Sequence, residues 1–214
     1  MLRLPGTYRA QGDTFLLIRA LRRSGGAQGC RVLDVGTGGG ALALSAVRAG
    51  ARSVTAVDLS RLSLITTRLN SLLHRARVEL RHGDLFDPVR GRRFDLVLAN
   101  PPYVPSRSDV LPRRGPGRAW DAGRDGRAVI ERICDDVAAV LVDGGRLLMV
   151  HSALADEDRT VQRLRDRGFR AAVVDRAPEP FGPVMRRRAA LLRSRGLLRP
   201  DQDHEELVVV EARR

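Results

Sequence analysis

The run Val32-Leu33-Asp34-Val35, followed by Gly36-Thr37-Gly38-Gly39-Gly40, limits the folds open to this chain more than any other segment. The first part reads as a buried strand. The glycines supply a tight turn and let a ligand approach the main chain closely. The apolar run Ala41 to Ala49 then reads as a helix whose first amides point back at that turn. The next strand-like run, Ser53 to Val57, ends in Asp58. A doubly wound sheet places an acidic acceptor for ribose hydroxyls about twenty residues beyond such a loop. Strand, glycine turn, helix, strand and acid in this order predict an α/β fold.

The alternation continues along the chain. Ser60 is an N-cap for a helix from Arg61 to His74. Val78 to Arg81 and Phe94 to Ala99 read as strands, and Arg127 to Leu141 as a helix. Asp143-Gly144-Gly145 leads into a strand from Arg146 to Val150. A helix around Ala155 to Arg167, a strand near Phe169 to Val174 and a last strand from Glu206 to Glu211 complete the pattern. This predicts a mostly parallel sheet covered on both faces. The 214 residues suit a single domain. Within it, residues 1–25 form an N-terminal helical segment, with Asp13 capping a helix to Leu21, and residues 176–204 an Arg-rich insertion before the last strand. That insertion reads either as a solvated helical excursion or as a flap gripping substrate.

Chemistry enters at the tip of the run Phe94 to Ala99, where Asn100-Pro101-Pro102-Tyr103 follows. The Asn100 side-chain oxygen can accept one N–H of a planar NH₂ group, and the Pro101 carbonyl the other. Proline keeps that acceptor while lacking a donor. Pro102 biases Pro101 towards an extended conformation, and Tyr103 offers a flat face to pack on the planar group. Such a nitrogen is a poor nucleophile, so it must be held in place to be alkylated. A proline-stiffened turn without chemistry is the plainer reading of the same four residues.

Formal charge is +13, which invites a nucleic-acid partner. All 38 basic residues are Arg, scattered over every kind of element, which is the mark of a compositional bias more than of a dedicated binding face. Cys30 and Cys134 stand apart as reduced structural thiols, and His74, His82, His151 and His204 form no close ligand cluster, so no metal site is expected. No signal-peptide core or long apolar run is present, and a cytoplasmic protein without membrane contact is expected.

The glycine loop opened by Asp34 resembles the S-adenosylmethionine loop of class I methyltransferases. With Asp58, Asp84 and Asn100-Pro101-Pro102-Tyr103 the chain resembles the HemK-type protein-(glutamine-N5) methyltransferases, which modify the glutamine of the Gly-Gly-Gln tripeptide in release factors. Tyr8-x-x-x-x-Asp13-Thr14-x-Leu16-Leu17 is similar to the opening of the short, eukaryotic/archaeal-like branch. Trp120-Asp121-Ala122-Gly123-Arg124-Asp125-Gly126 is similar to a stretch that follows the catalytic motif, with Ala122 replacing a glycine. The resemblance implies a Rossmann-like class I fold with a seven-stranded sheet. It implies S-adenosyl-L-methionine held by Asp13, Thr14, Asp34, Gly36, Gly38, Gly40, Asp58, Asp84, Leu85 and Asn100. It implies Asn100, Pro101, Pro102 and Tyr103 as the catalytic residues, a release factor as protein substrate, and a small activator subunit as a partner to be sought. The alternative left open is methylation of an exocyclic amine in rRNA or DNA, since that chemistry is nearly the same.

Overall fold

The computed structural model describes residues 1–112 and 115–214; Arg113 and Arg114, in the loop from Pro105 to Gly126, lie outside the described residues. The strands are β1 (Arg31–Val35), β2 (Ser53–Asp58), β3 (Glu79–His82), β4 (Phe94–Ala99), β5 (Leu141–Ser152), β6 (Arg170–Pro180) and β7 (His204–Arg213). The longer helices are α1 (Gly12–Arg23), α2 (Ala41–Arg48), α3 (Arg61–Leu73), α4 (Ala128–Asp136), α5 (Glu157–Asp166) and α6 (Pro183–Ser194). One seven-stranded sheet of order β3-β2-β1-β4-β5-β7-β6 results. Its first five strands run parallel, and β7 lies antiparallel between β5 and β6. The central strands are apolar on both sides because both faces are covered. Leu33, Val97 and Met149 face a layer built with Ile130 and Ile133 of α4 and Leu164 of α5. Val32, Leu98 and Val150 face the opposite layer, with Leu17 of α1 and Ala43 of α2. Among the described residues no helix is long and apolar enough to cross a membrane.

The structure departs from the sequence expectations in three places, each with a physical cause. Gln11, not Asp13, occupies the N-cap of α1, and Asp13 sits in the first turn, where the helix dipole favours a negative charge. β5 begins at Leu141, not Arg146, and passes through Gly144-Gly145. The glycines accompany a register shift between Phe94 and Leu96 of the partner strand, the usual setting of a bulge. β6 runs on to Pro180, so residues 176–180 of the expected insertion belong to the sheet. β6 is an edge strand, and Pro178 and Pro180 lack only donors that an outer edge does not use.

What remains of the insertion is α6 and the turn after it, and this is no solvated excursion. Met185, Ala189 and Leu192 pack with Val104, Phe181 and Leu198, and against Tyr103 and Trp120. Arg188 reaches Asp121 at 2.7 Å. The Arg195 guanidinium donates to the Ser106 carbonyl at 2.8 Å. α6 therefore clamps the loop that leaves β4.

α3, found where the sequence predicts it, is an amphipathic helix turned inside out. Ser63, Thr66, Thr67, Asn70 and Ser71 are its buried face, while Leu62, Ile65, Leu69 and Leu72 stand in solvent, Leu72 being 63% exposed.

Candidate active site

The inverted face of α3 serves the glycine loop. Thr67 Oγ1 donates to the Gly38 carbonyl at 2.9 Å, and Asn70 Nδ2 donates to the Gly39 carbonyl at 2.9 Å. From the other side, the amides of Gly36 and Thr37 donate to the Val57 carbonyl at 2.9 and 3.0 Å. Gly36, Gly38 and Gly40 all adopt positive φ, which glycine alone tolerates freely. A Cβ on Gly40 would stand 2.7 Å from Thr67 Cγ2, so this glycine is needed for packing as well as for its dihedral. Over Gly36 nothing lies within 4 Å of a built Cβ. Over Gly38 the nearest neighbour, Tyr8 Cβ, is 3.6 Å away. The turn is thus tied down from beneath and open above.

Asp58, at the end of β2, spans the loop's far side. One of its oxygens accepts the Gly38 amide at 2.9 Å and the other the Ser60 amide at 2.7 Å. Each oxygen keeps a lone pair for a further donor. Burial pushes its pKa up, while the Ser60 and Gly38 amides and the nearby Arg118 guanidinium favour the ionised form. Asp34 is fully enclosed. Its Oδ2 accepts the Thr37 hydroxyl at 2.6 Å and the Ala43 amide at 2.9 Å, and Oδ1 is buried without a partner. Asp34 therefore braces the loop against α2 from below. Asp84, beyond β3, accepts from Arg132 at 2.7 Å on the surface. Leu85 beside it has φ +41, a strained conformation for a bulky residue, which costs on the order of 1–3 kcal/mol. A turn held in that state presents main-chain groups where a relaxed one would not.

Asn100 closes the row at the tip of β4. Its Nδ2 donates to Thr14 Oγ1 at 3.3 Å. Among the described residues no group donates to its Oδ1 or to the Pro101 carbonyl. Thr14 is oriented in turn by Asp13, whose Oδ1 accepts both the Thr14 amide at 2.5 Å and the Thr14 hydroxyl at 3.1 Å. Asp13 Oδ2 accepts the Tyr8 hydroxyl at 2.5 Å and the Tyr103 hydroxyl at 3.1 Å. Burial comes first in raising both tyrosine pKa values, and the Asp13 charge adds to it. Tyr103 is thereby fixed at both ends, its ring against all three apolar clusters and its hydroxyl on Asp13. This differs from the expectation of a free stacking face. Asp13 has both oxygens occupied internally, so it shapes the site through Thr14 and Tyr103.

The stretch Trp120 to Gly126 runs beside the exit from Tyr103. The Val104 amide donates to the Trp120 carbonyl at 2.8 Å, the Ala122 amide to the Val104 carbonyl at 3.1 Å, and the Ser106 amide to the Gly123 carbonyl at 2.8 Å. The sheet order gathers the glycine loop, Asp58, Asp84 with Leu85, and Asn100 at the carboxyl ends of β1, β2, β3 and β4, where α/β sheets bind ligands. The sequence reasoning missed Thr67 and Asn70, whose signal was a polar stripe at helical spacing opposite leucines. It also missed Glu205 on β7 and the buried His151. Neither lies in a motif; the fold brings Glu205 beside Asp13, Tyr8 and Tyr103, while His151 is buried beside Arg127. Among the described residues no three His, Cys, Asp or Glu side chains gather as a metal-binding group.

These buried groups set the pH response of the fold. Burial pushes the Asp34 and Glu205 carboxyls up to about 7. A carboxyl that binds its proton more tightly when folded makes the folded chain lose stability as pH rises from its ordinary range towards about 7. Burial pushes His151 down to about 4. A buried neutral histidine acts oppositely, adding stability as pH rises from about 4 towards its ordinary value near 6.5. Two carboxyls against one imidazole leave a net loss. The urea midpoint is expected to fall between about pH 5 and pH 7, and the Glu205→Gln variant to show a shallower fall. An unchanged slope in that variant would remove Glu205 from this account.

A Rossmann-like sheet with a glycine loop, an acid after the second strand and Asn-Pro-Pro-Tyr after the fourth defines the class I methyltransferase fold. Comparison with known proteins agrees. The methyltransferase small domain model matches residues 9–111. The chain is 29% identical over 181 residues to a putative protein N5-glutamine methyltransferase of Methanocaldococcus jannaschii, covering 85% of this chain and 90% of that protein. It is 42% identical over 124 residues to the release factor glutamine methyltransferase of Deinococcus radiodurans, covering 56% of this chain and 44% of that one. The chain spans about half the length of such bacterial relatives. The structure of the E. cuniculi Mtq2-Trm112 complex matches with a TM-score of 0.68 at 22% identity, over 98% of this chain and 99% of that one. A T. thermophilus 16S rRNA N2 G1207 methyltransferase, in complex with AdoMet and guanosine, matches at 0.66 and 20% identity, over 99% and 46%. The chain is thus similar to protein N5-glutamine and release factor glutamine methyltransferases, and it has the class I methyltransferase fold.

Proposed function

We propose that this chain methylates the side-chain amide nitrogen of a glutamine, in the Gly-Gly-Gln tripeptide of a release factor, with S-adenosyl-L-methionine as methyl donor. The observation that carries the reading is the pair of acceptors without internal donors, Asn100 Oδ1 and the Pro101 carbonyl, beside the open glycine loop. The relatives' names supply the substrate class. The residues present fit the cofactor. The loop from Gly36 to Gly40 has room above its main chain, Asp58 keeps acceptor capacity for a ribose diol, and the turn at Asp84-Leu85 lies where an adenine ring would end. When bound, S-adenosyl-L-methionine supplies an electrophilic methyl group on a sulfonium sulfur.

The chain's own contribution is positioning. Asn100 and Pro101 each accept one N–H of the amide, which turns the nitrogen towards the methyl group. Thr14 fixes the Asn100 rotamer, and Asp13 fixes Thr14. As the new C–N bond forms, the nitrogen becomes acidic and its proton leaves to water, so no strong base is needed. Holding two reactants in line is worth as much as about 7–11 kcal/mol of barrier. The deciding assay offers release factor, its Gly-Gly-Gln→Gly-Gly-Ala variant, ribosomal RNA and DNA, each with labelled cofactor. Label confined to the wild-type factor supports the reading. Label on nucleic acid moves the chain to the exocyclic-amine alternative. A substrate in translation places the protein in the cytoplasm.

Cofactor affinity should rest on Asp58. A hydrogen bond to an ionised acceptor contributes about 1.5–3 kcal/mol. Asp58→Ala is expected to weaken S-adenosyl-L-methionine binding at least about tenfold by calorimetry. Unchanged affinity would show that Asp58 serves only the loop.

A small partner subunit is the second part of the proposal. Leu62, Ile65, Leu69 and Leu72 form an exposed apolar stripe on α3, next to the free edge of β3. An exposed apolar face of this kind marks an interaction site. One structure similar to this chain, the Mtq2-Trm112 complex, carries a partner protein. Pull-down from the native host with wild type and Leu69→Asp should retain a small protein with the former only. A concentration-dependent homodimer lost in Leu69→Asp would assign the stripe to a second copy instead.

A further inference from the structure

Glu205 is the one buried carboxylate near the Asn-Pro-Pro-Tyr turn with an unanswered demand. It is 5% exposed, and its Oε2 has no hydrogen-bond partner. The charged groups that act on it are acidic. Glu179 lies directly opposite on β6. Asp13 of α1 and Glu179 both act on Glu205 by charge, and the Ser152 hydroxyl of β5 is beside it. Glu205 in turn acts on Tyr8 and Tyr103. Asp13 differs from Glu205 in being satisfied, with donors on both oxygens. The cluster thus holds two deeply buried carboxylates, one half-buried one and two tyrosines, and among the described residues no basic group acts on Glu205. A buried charge without a counter-charge is costly, and it costs least when a partner arrives from outside.

The topology says which partner. Glu205 faces the α1 side of the sheet, as does Leu207 two residues on, and Asn100 reaches Thr14 on that same side. In the order β1-β4-β5-β7, the β7 strand lies three spacings from the glycine loop, about 14 Å, and two from Asn100, about 10 Å. A cofactor held over the glycine loop would lie three strands from Glu205, while a substrate held at Asn100 would lie two. A long basic side chain on the molecule that carries the target amide spans that shorter distance.

We propose that Glu205 is a specificity residue that receives a guanidinium or ammonium group of the polypeptide substrate, close in sequence to the glutamine held by Asn100. Complementary charge of this kind selects partners and fixes register more than it adds raw affinity. The raised pKa fits the free enzyme, where the carboxyl lacks a cation. This inference rests on the glutamine-methyltransferase reading for its substrate, and the experiment separates the two.

The test uses Gly-Gly-Gln peptides with one arginine walked through the flanking positions, each paired with its neutral citrulline counterpart. Binding to the cofactor-loaded wild-type enzyme is read by calorimetry and turnover by labelled methyl transfer. At one or two positions arginine should bind at least about tenfold tighter than citrulline. Glu205→Gln, an isosteric change, should erase that preference while leaving cofactor affinity unchanged. In the wild type the preference should weaken as pH falls below about 7 and the carboxyl takes its proton. Methylated peptides without any arginine preference, or a preference that survives in Glu205→Gln, would overturn the assignment and leave the glutamine reading intact. Peptides that bind with a Glu205-dependent arginine preference yet are never methylated would overturn the glutamine reading and leave this one standing. Peptides that neither bind nor react would overturn both.

Discussion

Asn100→Ala should cost at least about a hundredfold in turnover while leaving cofactor affinity within about twofold, the scale seen when one positioned transition-state contact is deleted. The side chain sits at the tip of β4 with its nitrogen committed to Thr14 and its oxygen without an internal donor. Removing it leaves the Pro101 carbonyl as the only acceptor. One acceptor can hold the amide but cannot choose its rotation about the remaining bond. The loss should therefore fall on turnover more than on substrate KM. Asn100→Asp is the finer test. It keeps an acceptor facing the substrate, loses the donor to Thr14, and places a charge close to the acidic Asp13. A loss smaller than that of Ala, with partial recovery at lower pH, is expected. Single-turnover rates with labelled cofactor, beside cofactor binding by calorimetry, give the split. Normal turnover in Asn100→Ala would reduce Asn-Pro-Pro-Tyr to a turn.

A neighbouring substitution probes the network behind Asn100. Asp13 carries no free oxygen for a ligand, yet it orients Thr14 and anchors Tyr103. The sequence marked Asp13 by resemblance and marked Tyr103 as a stacking surface. Only the fold shows the two tied to each other across 90 residues of chain.

The first half of the sheet was legible because its signals are local. The strand into Gly36, the acid at Asp58 and the proline-stiffened Asn100 turn each announce themselves within a few residues. Where local signals misled, tertiary context had replaced them. Gly144-Gly145 read as a break, but a bulge against β4 absorbs them and β5 continues. The strand expected to end near Val174 runs on to Pro180, because at a sheet edge the donors missing from Pro178 and Pro180 cost nothing. The helix from Arg61 was legible, but not which of its faces is buried: Thr67 and Asn70 point inwards, where they hydrogen-bond the glycine loop. Glu205 was invisible for a related reason. It is one acid among 25 in sequence, and it becomes distinctive only when β7 is threaded between β5 and β6.

Gly126→Ala should be among the most damaging single-methyl changes in this chain, although Gly126 belongs to none of the expected site residues. A Cβ built there stands 2.3 Å from the Tyr103 carbonyl oxygen and 3.3 Å from Pro105 Cδ, and the residue holds φ +74. The first contact is with main chain, which cannot rotate away as a side chain can, and the dihedral is one that alanine adopts only at a cost of about 1–2 kcal/mol. Relief requires Tyr103 to move. Its ring is wedged among the apolar clusters and its hydroxyl is fixed on Asp13, so the displacement passes back along the chain to Pro102, Pro101 and Asn100. A misplacement of about 1 Å at a site that works by positioning can cost about a hundredfold in rate. The glycine loop lies on the other side of β4 and is untouched. Gly126→Ala is therefore expected to lower turnover by about two orders of magnitude, and stability by about 1–3 kcal/mol, with cofactor affinity near normal. Gly91→Ala is the control, since it too has positive φ, at +77, but nothing within 4 Å of its Cβ. Its loss of stability should be of the order of the dihedral cost alone, with turnover intact. Equal turnover in the two variants would mean that the stretch from Trp120 to Gly126 does not set the geometry of the Asn-Pro-Pro-Tyr turn.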